Sequence, residues 1–261
     1  MEIWQSIILG ITQGLTEFLP VSSSGHLVLV QNAMGLADIP IMYDVMFHLG
    51  TLVAVVLVMY REIAAIFAHP VKNHLVVLII ATIPAAVVGF LFNDLFEEAF
   101  SGTFLGICFI LTAVILMLGE FIYDRHKTKY DISLYSGISM GLMQALALFP
   151  GISRSGSTIA GGLFFGVNRT KAANFAFLMS IPIILGSLAS EVFKLKDTGF
   201  GDIDMAPMAV GTVVAAVCGF FAVKFMLKLI KERKLTGFAI YVTALGIFVL
   251  IDQNVSHLIF K

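Results

Sequence analysis

Polar residues act as punctuation between long apolar runs in this chain. Runs near 41–60, 74–93 and 103–123, and again near 172–193, 207–229 and 236–257, are long enough to cross the ~30 Å hydrocarbon core of a bilayer as helices. Their hydrophobicity is continuous rather than alternating, the mark of spanning helices and not of a barrel. Two further stretches, 2–34 and 134–166, break this pattern. Each divides at a Pro/Gly/Ser cluster into two arms, roughly 2–19 and 24–34 in the first, 134–149 and 155–166 in the second. Neither arm is a clean twenty-residue span, so both stretches are predicted to be re-entrant hairpins. Broken backbone is tolerated at membrane depth only where protein or a water-filled cavity satisfies it.

The two sets of elements are copies of one unit. At a shift of 131 residues, Gly10, Gln13, Leu15, Phe18, Ser22, Ser24 and Gly25 fall on Gly141, Gln144, Leu146, Phe149, Ser153, Ser155 and Gly156. Gly106, Thr112 and Ala113 fall on Gly237, Thr243 and Ala244 at the same shift, and Ala85 to Phe90 fall on Ala215 to Phe220 at 130. A constant offset across polar and glycine positions is a duplication signal. The predicted fold class is therefore all-α integral membrane with an inverted-topology repeat. Each half, 1–130 and 131–261, is a re-entrant helical hairpin plus three transmembrane helices, and the two halves share one site. Three crossings per half is an odd number, so the second half lies upside down relative to the first.

Composition agrees with a membrane protein: 59% of residues are hydrophobic, 13% are charged and the mean hydropathy is +0.97. A typical soluble domain carries about 25% charged residues. A net charge of −1 implies no nucleic-acid partner. Cys108 and Cys218 lie inside apolar runs and read as inert packing residues. The first residues do not read as a cleavable signal peptide, since Glu2 replaces a basic start and Gln13 and Glu17 interrupt the apolar run. One side of the membrane would hold Arg61, Lys72, Arg125, Lys127, Lys129, Lys228, Lys231, Arg233 and Lys234. The other would hold the acidic loop with Asp94, Glu97 and Glu98 and a mixed loop with Lys194, Lys196, Asp197, Asp202 and Asp204. The positive-inside rule places the first side in the cytoplasm and both termini outside. The run Lys228 to Lys234 then reads as a solvated turn at the lipid headgroups.

Candidate chemistry concentrates at the two breaks. In PGISRSGST (Pro150 to Thr158), Arg154 stands among Ser153, Ser155, Ser157 and Thr158, with Gly151 and Gly156 as hinges. A guanidinium in an apolar chain costs about 2.5–3.5 kcal/mol at the bilayer centre on insertion scales, so it must face a partner or a ligand. Hydroxyls and freed backbone N–H groups around it suit an anion with several oxygens, such as phosphate. The first break, PVSSSGH (Pro20 to His26), carries Ser22, Ser23, Ser24 and His26, and follows Gln13 and Glu17 on one helical face. Two readings of Glu17 stay open: an ion pair with Arg154 that locks the hairpins, or a carboxylate that binds a divalent metal or handles a proton beside a phosphate. His26 has the chemistry of a general acid or base. Glu17 has Leu148 as its repeat mate and Arg154 has Ser23, an asymmetry that fits one shared site. Gln144, Asp44, His48 and Asn174 are read as structural, and Glu191 as reaching the interface.

QGLTE (Gln13 to Glu17), FLPVSSSGH (Phe18 to His26) and PGISRSGST together closely resemble the two signature regions of the undecaprenyl-diphosphate phosphatase family of the bacitracin-resistance type. The family pattern of Glu/Gln-x-x-x-Glu, then Pro-Gly-x-Ser-Arg-Ser-x-x-Thr, is met without departure, and Ser24 stands where some relatives carry Thr. The resemblance implies hydrolysis of undecaprenyl diphosphate to undecaprenyl phosphate and inorganic phosphate, recycling the lipid carrier for cell-wall polymers. It implies a divalent cation (Mg²⁺ or Ca²⁺) and a bacterial cytoplasmic membrane with the site opening outward. Carried onto this chain, Glu17 would bind metal or assist proton transfer, Ser23 would be the nucleophile and His26 the base or acid. Arg154 would clamp the diphosphate, and Gln13, Ser22, Ser24, Ser153, Ser155, Thr158, Gly151 and Gly156 would line the phosphate site. Partners would be a polyprenyl diphosphate lipid and membrane lipids; oligomeric state, a homodimer among the alternatives, is left open. The rival reading is an anion or polyprenyl-phosphate transporter or flippase using the same inverted-repeat site, since fold alone does not settle function.

Overall fold

A hydrocarbon core offers no water to backbone polar groups, so a spanning chain satisfies them internally, and this one does so with helices. A computed structural model describes residues 1–36, 39–70, 74–92, 102–126, 129–198 and 203–260. In chain order the helices are α1 (Ile3–Thr16), α2 (Ser23–Ala33), α3 (Met42–Val58), α4 (Tyr60–Ala68), α5 (Leu75–Leu91), α6 (Leu105–Arg125), α7 (Leu134–Leu146), α8 (Arg154–Phe164), α9 (Arg169–Thr198), α10 (Met205–Glu232) and α11 (Thr236–Ile251). A π-helical turn, Asp252–Ser256, follows α11. Among the described residues, α6, α9 through Phe193, α10, and α11 with its π turn are long and apolar enough to cross a membrane. The run near 41–60 does not end in a loop: α3 bends by 71° at Met59 into α4, and the two count as a fifth span only together. α5 is apolar but has 17 residues.

The short helices pair across the two breaks. The Ser6 hydroxyl of α1 donates to the Pro207 carbonyl at the start of α10. Gln31 near the end of α2 donates to Asp44 at the start of α3 (2.8 Å). Those two starts are joined, because Tyr43 donates to the Asp204 carbonyl (3.1 Å) and accepts the Asp204 N–H (3.0 Å). The α1–α2 pair thus enters and leaves at one end of the molecule. α7 and α8 likewise begin and end close together, where Tyr130 and Gly166 are joined by a backbone hydrogen bond (2.9 Å).

Lipid tails are as apolar as leucine, so helix association in a bilayer rests on close van der Waals fit and small residues. Gly10 of α1 meets Gly211 of α10, and a Cβ on Gly14 would stand 2.7 Å from the Ala215 carbonyl oxygen and 2.5 Å from the Cys218 Cβ. Gly50 of α3 packs on Thr212 of the same α10, and Gly141 of α7 on Ala81 of α5. Gly246 of α11 faces the Gly106 carbonyl of α6. Buried Phe18, Phe109, Phe177, Leu116, Met140 and Ile159 fill the space where these helices converge.

One end of the bundle is held by charge. Glu120 of α6 accepts Arg169 from the start of α9 in a two-pronged pair, and also the Leu235 N–H (2.8 Å) that precedes α11. Lys234 pairs with Asp124, and Lys171 with Asp131. Lys72, Asp94, Glu97, Glu98, Lys127 and Asp202 of the charge argument, and the side chains of Lys194, Lys196 and Asp197, lie outside the described residues.

Gly14→Leu is expected to lose about 1–3 kcal/mol through overpacking, whereas Gly186→Ala, with nothing within 4 Å of its added Cβ, should stay within about 0.5 kcal/mol; thermal melts of both variants in one detergent check this. Glu120→Ala leaves the buried Leu235 N–H unpaired and the Arg169 guanidinium with only Asp124 (3.7 Å) and the Arg233 carbonyl (3.4 Å), and is expected to cost about 1–3 kcal/mol on the same assay.

Candidate functional site

Each break is built by its own capping chemistry, and the two caps are shared. Ser22 caps α2, its hydroxyl accepting the Gly25 N–H (3.3 Å), and it does so in the left-handed region at φ +69°. Such a conformation costs a non-glycine residue about 1–3 kcal/mol and persists only where surroundings over-determine it. Here they do, because the same hydroxyl accepts the Gly151 N–H from the other break (3.1 Å). Gly151 turns the second break at φ +93°, a value that suits only glycine without strain. Thr112 of α6 then fixes it from outside, donating to the Gly151 carbonyl (2.8 Å) and accepting the Ser153 N–H (2.9 Å). Ser155 donates to the Leu19 carbonyl (2.9 Å). The tips are stitched face to face, with room for no more than a hydrogen at Gly25, where a Cβ would lie 2.9 Å from the Gly151 Cα.

Glu17 sits inside this seam with its side chain 2% exposed. Its Oε1 accepts Arg154 Nη2, which arrives from the first residue of α8. Its Oε2 accepts the Ser23 hydroxyl and the Gln13 amide (2.9 Å), and faces His48 Nε2 at 3.5 Å. Helix spacing explains the first of these: Gln13 and Glu17 are one turn apart on α1. The guanidinium is 18% exposed, so the pair lies at the edge of buried space. Gln13 Oε1 is buried with no hydrogen-bond partner among the described residues. The seam therefore holds a carboxylate, a cation, a hydroxyl and an unused amide oxygen between two helix N-termini, whose dipoles favour negative charge. Such a set can receive a phosphate and take a proton from a serine.

The other residues singled out in the sequence are placed as follows. Ser24 lies 3.4 Å from Ser22, hydroxyl to hydroxyl. Ser153 caps α8, accepting the Gly156 N–H (3.1 Å), and contacts the Ser155 hydroxyl (3.3 Å). Thr158 bonds back to the Arg154 and Ser155 carbonyls within its own helix (2.6 and 3.1 Å). Gly156 is a packing position, its missing Cβ hemmed at 3.0 Å by Leu116, Pro20 and Ser153. His26 shares α2 with Ser23, but its ring nitrogens are engaged elsewhere: Nδ1 with the Ser22 carbonyl (2.7 Å) and Nε2 with the Tyr241 hydroxyl (2.8 Å). Gln144 is fully buried, and its amide has no partner among the described residues.

Three residues enter the site that the sequence reading left aside. His48, read as structural, faces Glu17, and its Nδ1 is set by the Asp44 carbonyl (2.8 Å). Its signal was present in the shared helical face with Asp44, but nothing in the sequence aimed that face at α1. Thr112 and Tyr241 carried no chemical signal of their own.

Known proteins resemble this chain over nearly its full length. The family model described as bacitracin resistance protein BacA matches residues 6–248. An undecaprenyl-diphosphatase of Carboxydothermus hydrogenoformans is 44% identical over 256 residues, covering 97% of this chain and 98% of that protein. Undecaprenyl-diphosphatases of Halothermothrix orenii and Methanobrevibacter smithii are each 39% identical, over 96% and 99% of this chain and 98% and 100% of their own lengths. This chain, a multi-pass membrane protein, belongs to the BacA bacitracin-resistance family.

Proposed function

We propose that the chain hydrolyses undecaprenyl diphosphate to undecaprenyl phosphate and inorganic phosphate. One observation carries the reading: the Ser23 hydroxyl, the Glu17 carboxylate and the Arg154 guanidinium form a single buried contact where two helix N-termini meet. Phosphoryl transfer asks a protein mainly to position the reactants and neutralise charge on the phosphate oxygens. Ser23 Oγ attacks the terminal phosphorus, its proton passes to Glu17, and the anhydride P–O bond breaks to release undecaprenyl phosphate. Water then cleaves the phosphoserine, giving inorganic phosphate and restoring the hydroxyl. Glu17 returns its proton to Ser23 Oγ in this second step, while both ring nitrogens of His26 are engaged away from the serine. Arg154 and the N–H groups opening α2 and α8 hold the transferring oxygens.

A divalent cation belongs to this reading only as one held mainly by the substrate's phosphates, since among the described residues no three His, Cys, Asp or Glu side chains gather to hold it. Mg²⁺ is commonly held by one or two carboxylates plus substrate phosphates, with several waters retained. Glu17 supplies the carboxylate, and the unpartnered, buried Gln13 Oε1 is an oxygen suited to the same ion. When bound, the ion would add positive charge at the diphosphate.

The inverted repeat supplies the frame for this site. Its support is a set of exchanged contacts: Gly10 packs on Gly211 as its mate Gly141 packs on Ala81, and 211 and 81 differ by the 130 residues that relate those segments. Orientation follows from the charged end with Arg125, Lys129, Lys231, Arg233 and Lys234, which faces the cytoplasm, leaving the α1–α2 hairpin to open outward in a cytoplasmic membrane. The same paired hairpins support a lipid or anion carrier as the second reading.

Purified protein supplied with Mg²⁺ should release inorganic phosphate from a polyprenyl diphosphate. Ser23→Ala, Glu17→Ala and Arg154→Ala should each cut turnover at least about 1000-fold, a loss of about 4 kcal/mol of transition-state stabilisation, while gel filtration shows the protein folded. Full turnover by Ser23→Ala would move the nucleophile to water, and lipid movement without phosphate release would favour the carrier. Chelation should abolish release and added Mg²⁺ or Ca²⁺ restore it, with Gln13→Leu raising the cation concentration needed by about 10-fold.

A further inference from the structure

Helix α10 changes character along its outer ridge. Gly211, Ala215 and Gly219 turn toward α1 and α3, while Val213, Val217 and Phe221 stand exposed on another side. Steps of three and four residues carry that exposed ridge on through Lys224, Lys228 and Lys231, all three exposed. The helix is long and apolar enough to cross a membrane, so its uncovered side looks onto lipid. Its ridge is therefore apolar along most of its length and basic over its last two turns. Lys224 and Lys231 lie about 10 Å apart along the axis, at 1.5 Å per residue.

Other cations at this end have partners within the chain. Arg169 is held by Glu120, Lys234 by Asp124, Lys171 by Asp131, and Lys129 by the Tyr123 and His126 carbonyls. None of the three α10 lysines forms an ion pair among the described residues, and Glu232, the nearest acid in sequence, pairs with none of them. Lys224 rests its ammonium over the Phe220 ring, 4.2 Å from the centroid. That contact offsets part of the cost of a charge set deep on a lipid-facing helix, but it brings no counter-charge.

We propose that this ridge binds an anionic phospholipid, with Lys224, Lys228 and Lys231 around its phosphate and its acyl chains along Val213, Val217 and Phe221. A soluble anion would match the lysines alone. A lipid matches the order of the whole ridge, because it carries phosphate and tails in the same sequence along the membrane normal. The surface takes no part in the proposed hydrolysis.

The full-length protein in a neutral detergent is offered an equal mixture of dioleoyl phosphatidylglycerol and dioleoyl phosphatidylcholine, and native mass spectrometry counts the lipid retained. The tails are identical, so any difference reports the headgroup. The anionic lipid should be preferred at least about 10-fold, each lysine contributing up to about fivefold. Lys224→Gln/Lys228→Gln/Lys231→Gln should bring the two lipids within about twofold of each other, and replacement of the same three by Arg should keep the preference. Arg125→Gln/Lys171→Gln/Lys234→Gln removes as many cations from the same end and should also keep it. Melting curves of these variants in lipid-free detergent should match the wild type, since the substituted side chains are exposed. No headgroup preference in the wild type, a preference that survives loss of the three α10 lysines, or an equal loss in the Arg125/Lys171/Lys234 variant would each overturn the proposal. Displacement of the lipid by inorganic phosphate at matched concentration would overturn it too, leaving a patch for soluble anions.

Discussion

The rest of the molecule depends on a carboxylate and a guanidinium that neither hairpin can keep alone. Glu17 and Arg154 lie 137 residues apart and reach their contact from different hairpins. Each would be costly in a low-dielectric interior without the other, and a lone buried charge is worth several kcal/mol of destabilisation. Their meeting therefore requires both tips at one depth and in one register. Ser22 with Gly151, and Ser155 with Leu19, supply that register through backbone groups.

A buried ion pair is a poor device for stability, because hydrophobic residues of equal volume serve as well or better. Glu17 does more than pair. The same carboxylate accepts a serine hydroxyl and an amide, and faces an imidazole. Concentrating four polar side chains on one carboxylate is costly to assemble and suits a site that handles protons and anions.

The surrounding helices make this arrangement rigid. Glycine and alanine contacts between α1 and α10, α3 and α10, and α5 and α7 bring backbones too close for side chains to intervene. Thr112 pins the second break from α6, and the Glu120–Arg169 pair fixes the starts of α9 and α11 at the charged end. Hydroxyls of similar sequence context end in different uses. Ser23 points at Glu17, while Thr158 returns to its own helix and Ser153 to its cap.

Much of this was legible in the order of residues. Apolar run length located α6, α9, α10 and α11, because a bilayer sets the length of what crosses it. Pro, Gly and Ser at 20–24 and 150–156 marked both breaks, and the isolated Glu17 and Arg154 had to find partners in an apolar chain. Other features were decided only by packing. The 71° bend at Met59 has no proline or glycine to announce it. His48 and Tyr241 are ordinary residues within apolar helices until α3 and α11 are set against the hairpins. Direction was the missing quantity: sequence states which groups an apolar chain carries, and only the packed helices state which of them face one another.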